Sequence, residues 1–479
     1  MTIEKTDGGA AAVAIPQLDR TLRPAPAPPV RIVHLGLGAF HRSHQAWFTQ
    51  HAGDAGDWGI AAFTGRRPDA ATVLAEQDGL YTLVERADSG DSFEVIGSIV
   101  EAVDGADTGR LAALVAASST AIITLTITEA AYGLGADGHL DLTAEDIVTD
   151  LRELGAGPAG KPATPVGRLV LALAARKAAG SGPITVVCCD NLSHNGTVAR
   201  NAVVGMADAW NPELAAWIAD TVSFVSTSVD RITPRTTPAD VEAVQDACGY
   251  FDNSPVVAEP FRNWVLSGKF PAGRPRWEDA GAVFVDDIEP YENRKLWLLN
   301  GAHSLLAYAG QLRGHSTVAE ALADPACLSA VELFWDEAEA NLEGPAAHGA
   351  DLQIPAYREE LLARFRNARI AHHLAQIAMD GSTKLRMRAV PVLTAERAAS
   401  RSGEGAARMI AAWISYCLRA SRNGGTVQDP LAGNIAAACA LAEGARVPAM
   451  LALLSEPLSQ DKAVVELVAG LAAAFEQDA

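Results

Sequence analysis

The sequence predicts an α/β protein with two domains, first a doubly wound parallel sheet and then a mostly α-helical domain. Before about Tyr291, short β-branched runs alternate with helical patterns, which is typical of a parallel sheet covered by helices. After that residue, strand signals almost vanish. A chain of 479 residues is also too long for one ordinary core. We therefore expect a flexible N-terminal tail over residues 1–29, a sheet domain over 30–290 and a helical domain over 291–479.

The individual elements follow from the spacing of the apolar residues. Apolar, β-branched runs predict strands over residues 31–36, 58–64, 121–127, 183–189 and 224–229. A helical pattern through His41, Gln45 and Phe48 follows the first strand, and another runs from Pro165 to Ala179. The helices of the second domain are predicted over residues 295–311, 317–322, 327–341, 357–365, 407–421 and 430–443.

Composition and charge restrict the partners of the chain. A net charge of −20 argues against nucleic acid and anionic membrane, because phosphate binding needs clustered Lys and Arg. No apolar run is long enough to span a bilayer, and the stretch from Ala10 to Ile15 is too short for a signal peptide. We therefore expect a cytoplasmic protein that binds a small molecule, as a monomer or a small homo-oligomer.

The six cysteines are interpreted as reduced, buried thiols. No two of them have the CxxC spacing, and Cys188 and Cys189 stand within an apolar run. The close pairs of histidines have no matching set of cysteines or carboxylates beside them, as a metal site would require. We therefore expect no bound metal.

A glycine-rich turn marks the predicted cofactor site. Gly36-Leu37-Gly38 follows the first strand and precedes a helix, which is where dinucleotide-binding folds place the pyrophosphate. Glycines let the backbone approach the phosphates, and the helix N-terminus offers unpaired N–H donors. The usual third glycine is absent, since His41 stands in its place. A turn without a ligand can show the same short pattern, but its place at the start of a long α/β domain favours a dinucleotide.

Residues after the second strand bear on the choice between NAD and NADP. Asp69 would accept hydrogen bonds from the ribose hydroxyls and repel a 2′-phosphate, which favours NAD. Arg66 or Arg67 could instead pair with that phosphate and admit NADP, or both could be solvated loop charges. We expect NAD as the cofactor and leave NADP open.

The stretch from Tyr291 to His303 carries the predicted catalytic groups. On an α-helix, one arc of about 140° holds four polar residues, which are Glu292, Lys295, Asn300 and His303. The rest of the helix is apolar nearly all round, and such helices are usually buried. A buried lysine is costly unless it has a role, and burial in general makes lysine a usable base near neutral pH. The alternative is a lysine that reaches solvent beside satisfied polar groups.

Two polar pairs directly follow predicted strands. These pairs are Asp190-Asn191 and Asp230-Arg231. Open α/β sheets bind their ligands at the carboxyl ends of the strands. Each pair taken alone could be ordinary helix capping. Their joint placement indicates that both contribute to one site.

These segments resemble the polyol-specific long-chain dehydrogenases, the mannitol 2-dehydrogenase family, which includes arabinitol dehydrogenases and fructuronate and tagaturonate reductases. The similarity covers nearly the whole chain. It is carried by six segments, residues 36–45 (GLGAFHRSHQ), 126–129 (TITE), 189–196 (CDNLSHNG), 229–234 (VDRITP), 259–261 (EPF) and 299–304 (LNGAHS). The resemblance implies a Rossmann-type first domain, a helical second domain and a reaction without metal.

The resemblance also implies roles for individual residues. Lys295 would be the general base, and Asn191 and Asn300 would hold the reacting oxygen as an oxyanion hole does. His303 would orient the substrate, and Asp230 would contact a neighbouring hydroxyl.

The remaining candidates concern proton release, the cofactor and the substrate. Glu292 would connect the catalytic lysine to bulk water. The predicted cofactor-binding residues are Gly36, Gly38, Phe40 and Asp69. Lys384 matches a further substrate contact of the family, whereas Gln376 stands where the mannitol enzymes would carry arginine and is closer to the hexuronate reductases. We expect NAD-dependent interconversion of a polyol and its ketose, with a fructuronate-type hexuronate reductase as the alternative.

Overall fold

The computed structural model describes residues 15–24, 26–135, 137–342 and 351–477. It divides into two compact units, Met1–Asp286 and Asp287–Ala479, which we call the sheet unit and the helical unit. Along the chain, the boundary between the two units lies between Asp286 and Asp287, a few residues before the predicted boundary at Tyr291, because a helix already begins at Glu289.

The sheet unit contains eleven strands within the described residues. They are β1 (Val30–Leu35), β2 (Gly59–Phe63), β3 (Tyr81–Ala87), β4 (Gly90–Ile96), β5 (Ile99–Val103), β6 (Ile122–Leu125), β7 (Ile184–Cys188), β8 (Val222–Asp230), β9 (Val256–Ala258), β10 (Asn263–Ser267) and β11 (Val283–Val285). Eight of them form one sheet in the order β11-β10-β8-β7-β6-β1-β2-β5. All neighbours in it are parallel except β8 and β10. A second sheet has the order β4-β3-β9.

Helices cover both faces of the larger sheet. The sheet unit contains α1 (Ala39–Ser43), α2 (Gln45–Gln50), α3 (Asp69–Ala75), α4 (Thr108–Ala116), α5 (Glu145–Gly155), α6 (Pro165–Ala179), α7 (Asn195–Trp210), α8 (Pro212–Thr221) and α9 (Pro238–Cys248), of which α9 packs against the smaller sheet. Alternate residues of β1 point to opposite faces, so Val33 and Leu35 pack in one core with α4, α6 and α7, while Ile32 packs in another with α2. The predicted doubly wound α/β sheet is confirmed. The antiparallel strand β10 and the smaller sheet were not predicted.

The segment before β1 differs from the expected flexible tail over residues 1–29. Residues 1–14 and residue 25 lie outside the described residues, and for them the flexible tail stays a prediction. In the described part, Leu18 is fully buried and its N–H donates to the carbonyl of Phe251 over 2.9 Å. The Arg20 guanidinium donates to the carbonyls of Gly97 and Ile99. This segment therefore packs against the sheet unit, because an apolar side chain and an arginine both find partners there.

The helical unit contains thirteen α-helices and one π-helical segment within the described residues. They are α10 (Glu289–Arg294), the π-helical segment (Lys295–Gly301), α11 (Ala302–Leu312), α12 (Val318–Ala323), α13 (Pro325–Leu342), α14 (Ile354–Arg366), α15 (Leu374–Ile377), α16 (Gly381–Arg388), α17 (Val390–Ala398), α18 (Glu404–Arg422), α19 (Ala432–Cys439), α20 (Glu443–Leu454), α21 (Glu456–Gln460) and α22 (Lys462–Gln477). The prediction of a mostly helical second domain is confirmed.

The core of the helical unit is organised around α18. This helix crosses α13 at Gly405, where a Cβ atom would lie 2.7 Å from the backbone of Phe334. The Glu337 carboxylate of α13 accepts hydrogen bonds from the N–H groups of Gly405 and Ala406, at 2.8 and 2.9 Å. One buried acid therefore satisfies two free donors in the first turn of α18.

Candidate active site

A cavity of about 700 Å³ opens in the sheet unit at the carboxyl ends of β1, β2 and β6. Its wall is formed by the residues that follow these strands and by the start of α6, among them Gly36, Leu37, Gly65, Thr126, Thr128 and Thr164. Ligands of open α/β sheets bind at this edge. The cavity therefore occupies the position that a dinucleotide would take in this fold.

Gly36 is required at the turn after β1. Its φ is +112°, and a Cβ atom would lie 2.1 Å from the carbonyl oxygen of Thr126. Thr126 also donates its hydroxyl to the Gly36 carbonyl over 2.9 Å. At Gly38, in contrast, the nearest atom would be an ordinary 3.5 Å from a Cβ. Steric crowding within the protein therefore explains why a glycine is needed at position 36 but not at position 38. At Gly38, the close approach of a ligand would explain the absence of a side chain.

The helix predicted through His41, Gln45 and Phe48 is broken at His44, where α1 ends and α2 begins. His44 has φ −117° and ψ −87°, which lies outside the helical range. Phe40 belongs to α1 and stacks on His44 with 5.1 Å between the ring centroids. The turn is therefore followed by two short helices instead of one long one.

His41, which stands in the place of the third glycine, packs behind the turn. Its ring stacks on His34 of β1, with 3.3 Å between the centroids and 7° between the planes. Burial lowers the pKa of His34 to about 3 and holds that of His41 well below its usual value, so both rings are neutral. The two stacked rings therefore lie between α1 and β1, at the place where the third glycine of the motif would let the helix pack directly on the strand.

Two cations face the cavity, one from the residues after β2 and one from α6. Arg66 and Arg168 line it, and the Arg168 guanidinium donates to the carbonyl of Gly65 over 2.9 Å. Asp69 begins α3, where its side chain is 72% exposed and lies 3.4 Å from the guanidinium of Arg67. The cavity wall includes neither Asp69, Gly38 nor Phe40. Of the four predicted cofactor residues, Gly36 alone lines the cavity, and the roles of the other three stay predictions.

Asp190 holds the wall of this cavity in place beside Asn191. It is buried after β7, and its carboxylate accepts hydrogen bonds from the N–H of Ile127 at 3.2 Å, the N–H of Thr128 at 2.8 Å and the hydroxyl of Tyr132 at 2.6 Å. Burial raises the pKa of Asp190 in spite of these donors. Thr128 has φ +76°, a strained value for a β-branched residue. The carboxylate thus fixes a strained loop at the cavity wall, a role that the sequence analysis missed.

Asn195 and Arg231 are structural residues of the segments that follow β7 and β8. Asn195 is buried and exchanges hydrogen bonds with the backbone of Thr227, at 2.7 and 2.8 Å. Arg231, buried beside Asp230, donates to the carbonyl of Glu259 and to the carboxylate of Glu85. These buried contacts tie the ends of β7 and β8 to their surroundings and leave exposed Asn191 and half-buried Asp230 at the edge of the sheet.

The π-helical segment changes the predicted geometry of the catalytic residues. Lys295 and Asn300 are five residues apart, which on an α-helix separates them by about 140°. In a π-helix the backbone hydrogen bonds span five residues, so these two side chains lie one turn apart on the same face. The prediction of a regular α-helix was therefore wrong for this stretch, although it placed the same polar residues together.

Side chains from neighbouring helices bind the carbonyls of the π-helical segment. The indole of Trp335 donates to the carbonyl of Leu298 over 2.7 Å, and the guanidinium of Arg388 donates to the carbonyl of Asn300 over 3.1 Å. Gly301 lets the segment press against α13, since a Cβ there would lie 2.5 Å from the ring of Phe334. Groups inserted into a helix in this way widen it locally, which is the physical reason for the departure from an α-helix.

His303 follows one turn after Asn300 in α11 and is buried. Burial lowers its pKa well below the usual value, and the nearby charges of His372, Arg364, Arg388 and Lys384 lower it further. The ring is therefore neutral, with one nitrogen as donor and one as acceptor. Its Nε2 has no hydrogen-bond partner among the described residues.

The other predicted residues of the helical unit lie in short helices. Glu292 is half-buried in α10, one turn before Lys295. Lys384 is half-buried in α16 and donates to the carbonyl of Ile377 over 3.0 Å. Gln376 is exposed in α15.

No group of three or more His, Cys, Asp or Glu side chains that could hold a metal ion occurs in the residues the structure describes. In the same part of the chain, no helix is both long and apolar enough to cross a membrane.

Comparison with known proteins identifies relatives over most of the chain. Residues 30–279 match the model of the mannitol dehydrogenase Rossmann domain, and residues 287–476 match that of the mannitol dehydrogenase C-terminal domain. The chain is 38% identical to D-mannonate oxidoreductase of Escherichia coli (strain K12) over 465 residues, which are 93% of each chain. It is also 38% identical to mannitol 2-dehydrogenase of Cereibacter sphaeroides over 408 residues, 83% of each chain.

Solved structures give the same result. A ternary complex of Pseudomonas fluorescens mannitol 2-dehydrogenase with NAD and D-mannitol matches with a TM-score of 0.74 and 35% identity, covering 97% of this chain and 95% of the other. Substrate-free D-sorbitol dehydrogenase matches with a TM-score of 0.86 and 30% identity, covering 96% and 98%.

Proposed function

The chain belongs to the mannitol dehydrogenase family, and we propose that it is an NAD-dependent oxidoreductase that interconverts a polyol, such as mannitol or arabinitol, and its ketose. The observation that carries this proposal is the π-helical segment, in which Lys295 and Asn300 share one face and His303 follows one turn later. The glycine-walled cavity at the strand ends fits a dinucleotide. When bound there, NAD would supply the acceptor for the hydride that leaves the carbinol carbon.

Lys295 acts as the general base of this reaction. During oxidation it takes the proton of the secondary hydroxyl while the carbon-bound hydrogen leaves as hydride, so that a ketone, NADH and a protonated lysine result. Glu292, one turn earlier, passes the proton on to bulk water. Asn191 and Asn300 donate hydrogen bonds to the oxygen as its negative charge develops.

The other side chains bind and orient the substrate. His303 is neutral, so it donates one hydrogen bond and does not compete with the lysine for the proton. Asp230, Lys384 and Gln376 contact the hydroxyls away from the reacting carbon. Gly36, Gly38, Phe40 and Asp69 contact the cofactor.

Replacement of Lys295 by alanine tests the proposal. Turnover of fructose with NADH is expected to fall by about 10²–10⁴-fold, because the general base is lost. NADH binding, followed by fluorescence titration, should persist. Lys462→Ala is the matched control, because this lysine is 89% exposed in the helical unit and should leave turnover unchanged. Full turnover by the Lys295→Ala variant would contradict the catalytic assignment.

A second candidate is a fructuronate-type hexuronate reductase, which uses the same chemistry on a sugar acid. It is supported by the 38% identity to the D-mannonate oxidoreductase over 93% of both chains. Gln376, in the place of an arginine expected in mannitol enzymes, points in the same direction.

We also propose that the enzyme acts in the cytoplasm, as a monomer or a small homo-oligomer. All six cysteines are unpaired and five of them are buried, as is usual for proteins of a reducing compartment. Size-exclusion chromatography with light scattering would measure the oligomeric state.

A further inference from the structure

Two other aromatic rings of the helical unit contact the ring of His303. Phe365 of α14 lies with its centroid 4.7 Å from that of His303, at 43° between the planes. His372, in the segment between α14 and α15, lies 4.8 Å away and nearly perpendicular, at 79°. Phe365 is buried and lies 6.4 Å from Trp335, whose indole binds the π-helical segment. His303 is therefore in contact with the core of the unit through one ring and with a half-buried histidine through the other.

Backbone contacts hold His372 in place, although the residue lies outside any helix. Its carbonyl accepts a hydrogen bond from the N–H of Val318 at 3.0 Å. The next residue, His373, forms an antiparallel bridge with Thr317. Thr317 is the N-cap of α12, and its capping box with Glu320 fixes the start of that helix. The ring of His372 therefore starts from a backbone that is tied to a capped helix.

Rotation of the His303 ring decides which of its atoms faces the substrate. A half-turn about the Cβ–Cγ bond exchanges Nε2 with Cε1, so a nitrogen that can bind a hydroxyl would be replaced by a carbon atom. The buried Nε2 has no hydrogen-bond partner among the described residues. This nitrogen therefore cannot fix the ring through a hydrogen bond of its own, and contacts with neighbouring rings have to contribute to its orientation.

The same neighbours help to keep the His303 ring uncharged. Burial lowers the pKa of His303 most, the charge of His372 has the next largest effect, and Arg364, Arg388 and Lys384 lower it further. A neutral ring is a hydrogen-bond donor at one nitrogen and an acceptor at the other, so its orientation determines which of the two roles the substrate meets.

We infer that His372 is a positioning residue, which holds the ring of His303 in the orientation that binds the substrate hydroxyl. This inference rests on the proposed function, in which His303 orients the substrate. His372 itself transfers neither hydride nor proton, and its effect on turnover passes through the neighbouring ring. A contact between two aromatic rings is worth about 2–10-fold in an equilibrium constant, and misplacement by 1 Å in an active site can cost about 10²-fold in rate.

His372→Ala tests the inference, because it removes the ring and leaves the backbone contacts of the segment in place. With NADH and whichever of fructose and fructuronate the wild-type enzyme reduces faster, kcat/KM is expected to fall by about 10-fold. His372→Phe keeps a flat ring at the same position and should retain at least about half of the wild-type value. An equal loss in the alanine and phenylalanine variants would overturn the inference, because the ring contact would then have no effect.

His373→Ala is the matched control. This neighbouring side chain is exposed, and the bridge to Thr317 is formed by the backbone, so the substitution leaves the segment paired. The control variant should keep the wild-type kcat/KM. A loss equal to that of His372→Ala would overturn the inference, since any change in the segment would then have the same effect.

A double-mutant cycle shows whether the effect of His372 passes through His303. His303→Ala alone is expected to lower kcat/KM by about 10²-fold. Adding His372→Ala to this variant should lower it by less than about 2-fold more, because the ring that His372 positions is already gone. Fully additive losses, which a merely structural role would produce, would overturn the inference.

The single variants separate this inference from the proposed function. If His303→Ala is impaired while His372→Ala keeps the wild-type kcat/KM, the positioning role is refuted and the assignment of His303 stands. If His303→Ala itself keeps the wild-type kcat/KM, the proposed role of His303 in orienting the substrate is refuted, and the inference fails with it.

Discussion

The turn after β1 and the π-helical segment are both irregular stretches of backbone that carry the proposed chemistry, but they arise in different ways. At the turn, the irregularity depends on residue type, because Gly36 has φ +112° and no room for a Cβ. In the π-helical segment, it depends on distant partners, since Trp335 and Arg388 bind its carbonyls. The conformation of the turn can therefore be predicted from the sequence, whereas the π-helical conformation can be recognised only in the folded structure.

Gly36→Ala should have the largest effect. It would place a Cβ 2.1 Å from the Thr126 carbonyl at a positive φ, so we expect a loss of about 3 kcal/mol or more in the free energy of unfolding, measured by denaturant titration. Gly38→Ala is the matched control, because a Cβ there meets its nearest neighbour at 3.5 Å. This control should change the stability by less than about 1 kcal/mol but weaken NADH binding. Equal stability of the two variants would show that the turn does not depend on residue type.

The sequence allowed prediction of elements whose ends are marked by local signals. Helix α6 was predicted at its observed bounds from its helical periodicity and the proline at its start, and in the structure Thr164 caps it and Gly180 ends it with φ +66°. Strand β10 was missed because it is short and pairs antiparallel with β8 at the edge of an otherwise parallel region. Its position depends on contacts far along the chain, which no local pattern contains.

In the candidate site, too, features set by local sequence were predicted, whereas features that depend on distant contacts were not. Gly36 lines the cavity as its motif predicted, whereas Asp69 is exposed and lies outside the cavity wall. The positions of Lys295 and Asn300 within one segment followed from the sequence, but their shared face depends on a π-helix that the α-helical period could not predict. The role of Asp190 was missed because its partners belong to the loop after another strand.

Deletion of Leu296 would test whether the π-helical segment matters for catalysis. One residue fewer between Lys295 and Asn300 favours an α-helix, in which those two side chains lie four residues apart with altered positions relative to His303. We expect kcat to fall by about 10²-fold or more, since misplacement by 1 Å can cost that much. Leu296→Ala keeps the register and should retain most of the activity. If the deletion variant keeps the wild-type kcat, the π-helical geometry has no catalytic importance.

The smallest expected effect concerns the contact between Asp190 and the loop after β6. Asp190→Asn replaces a carboxylate with an amide that has a single acceptor oxygen, so one of the N–H groups of Ile127 and Thr128 loses its partner in a buried place. We expect a loss of about 1–3 kcal/mol in the free energy of unfolding. Because this loop lines the cavity, the Kd for NADH should rise by roughly 5-fold, as for about 1 kcal/mol.

Tyr132→Phe provides the control for that contact. It removes the hydroxyl that donates to Asp190 over 2.6 Å but leaves both backbone hydrogen bonds to the carboxylate. The variant should lose about 1 kcal/mol of stability with an unchanged Kd for NADH. If both variants weaken NADH binding equally, the cofactor responds to general loosening of this region and not to the position of the strained loop. If Asp190→Asn alone does so, the sheet unit, like the π-helical segment, positions part of its site through a partner distant in sequence.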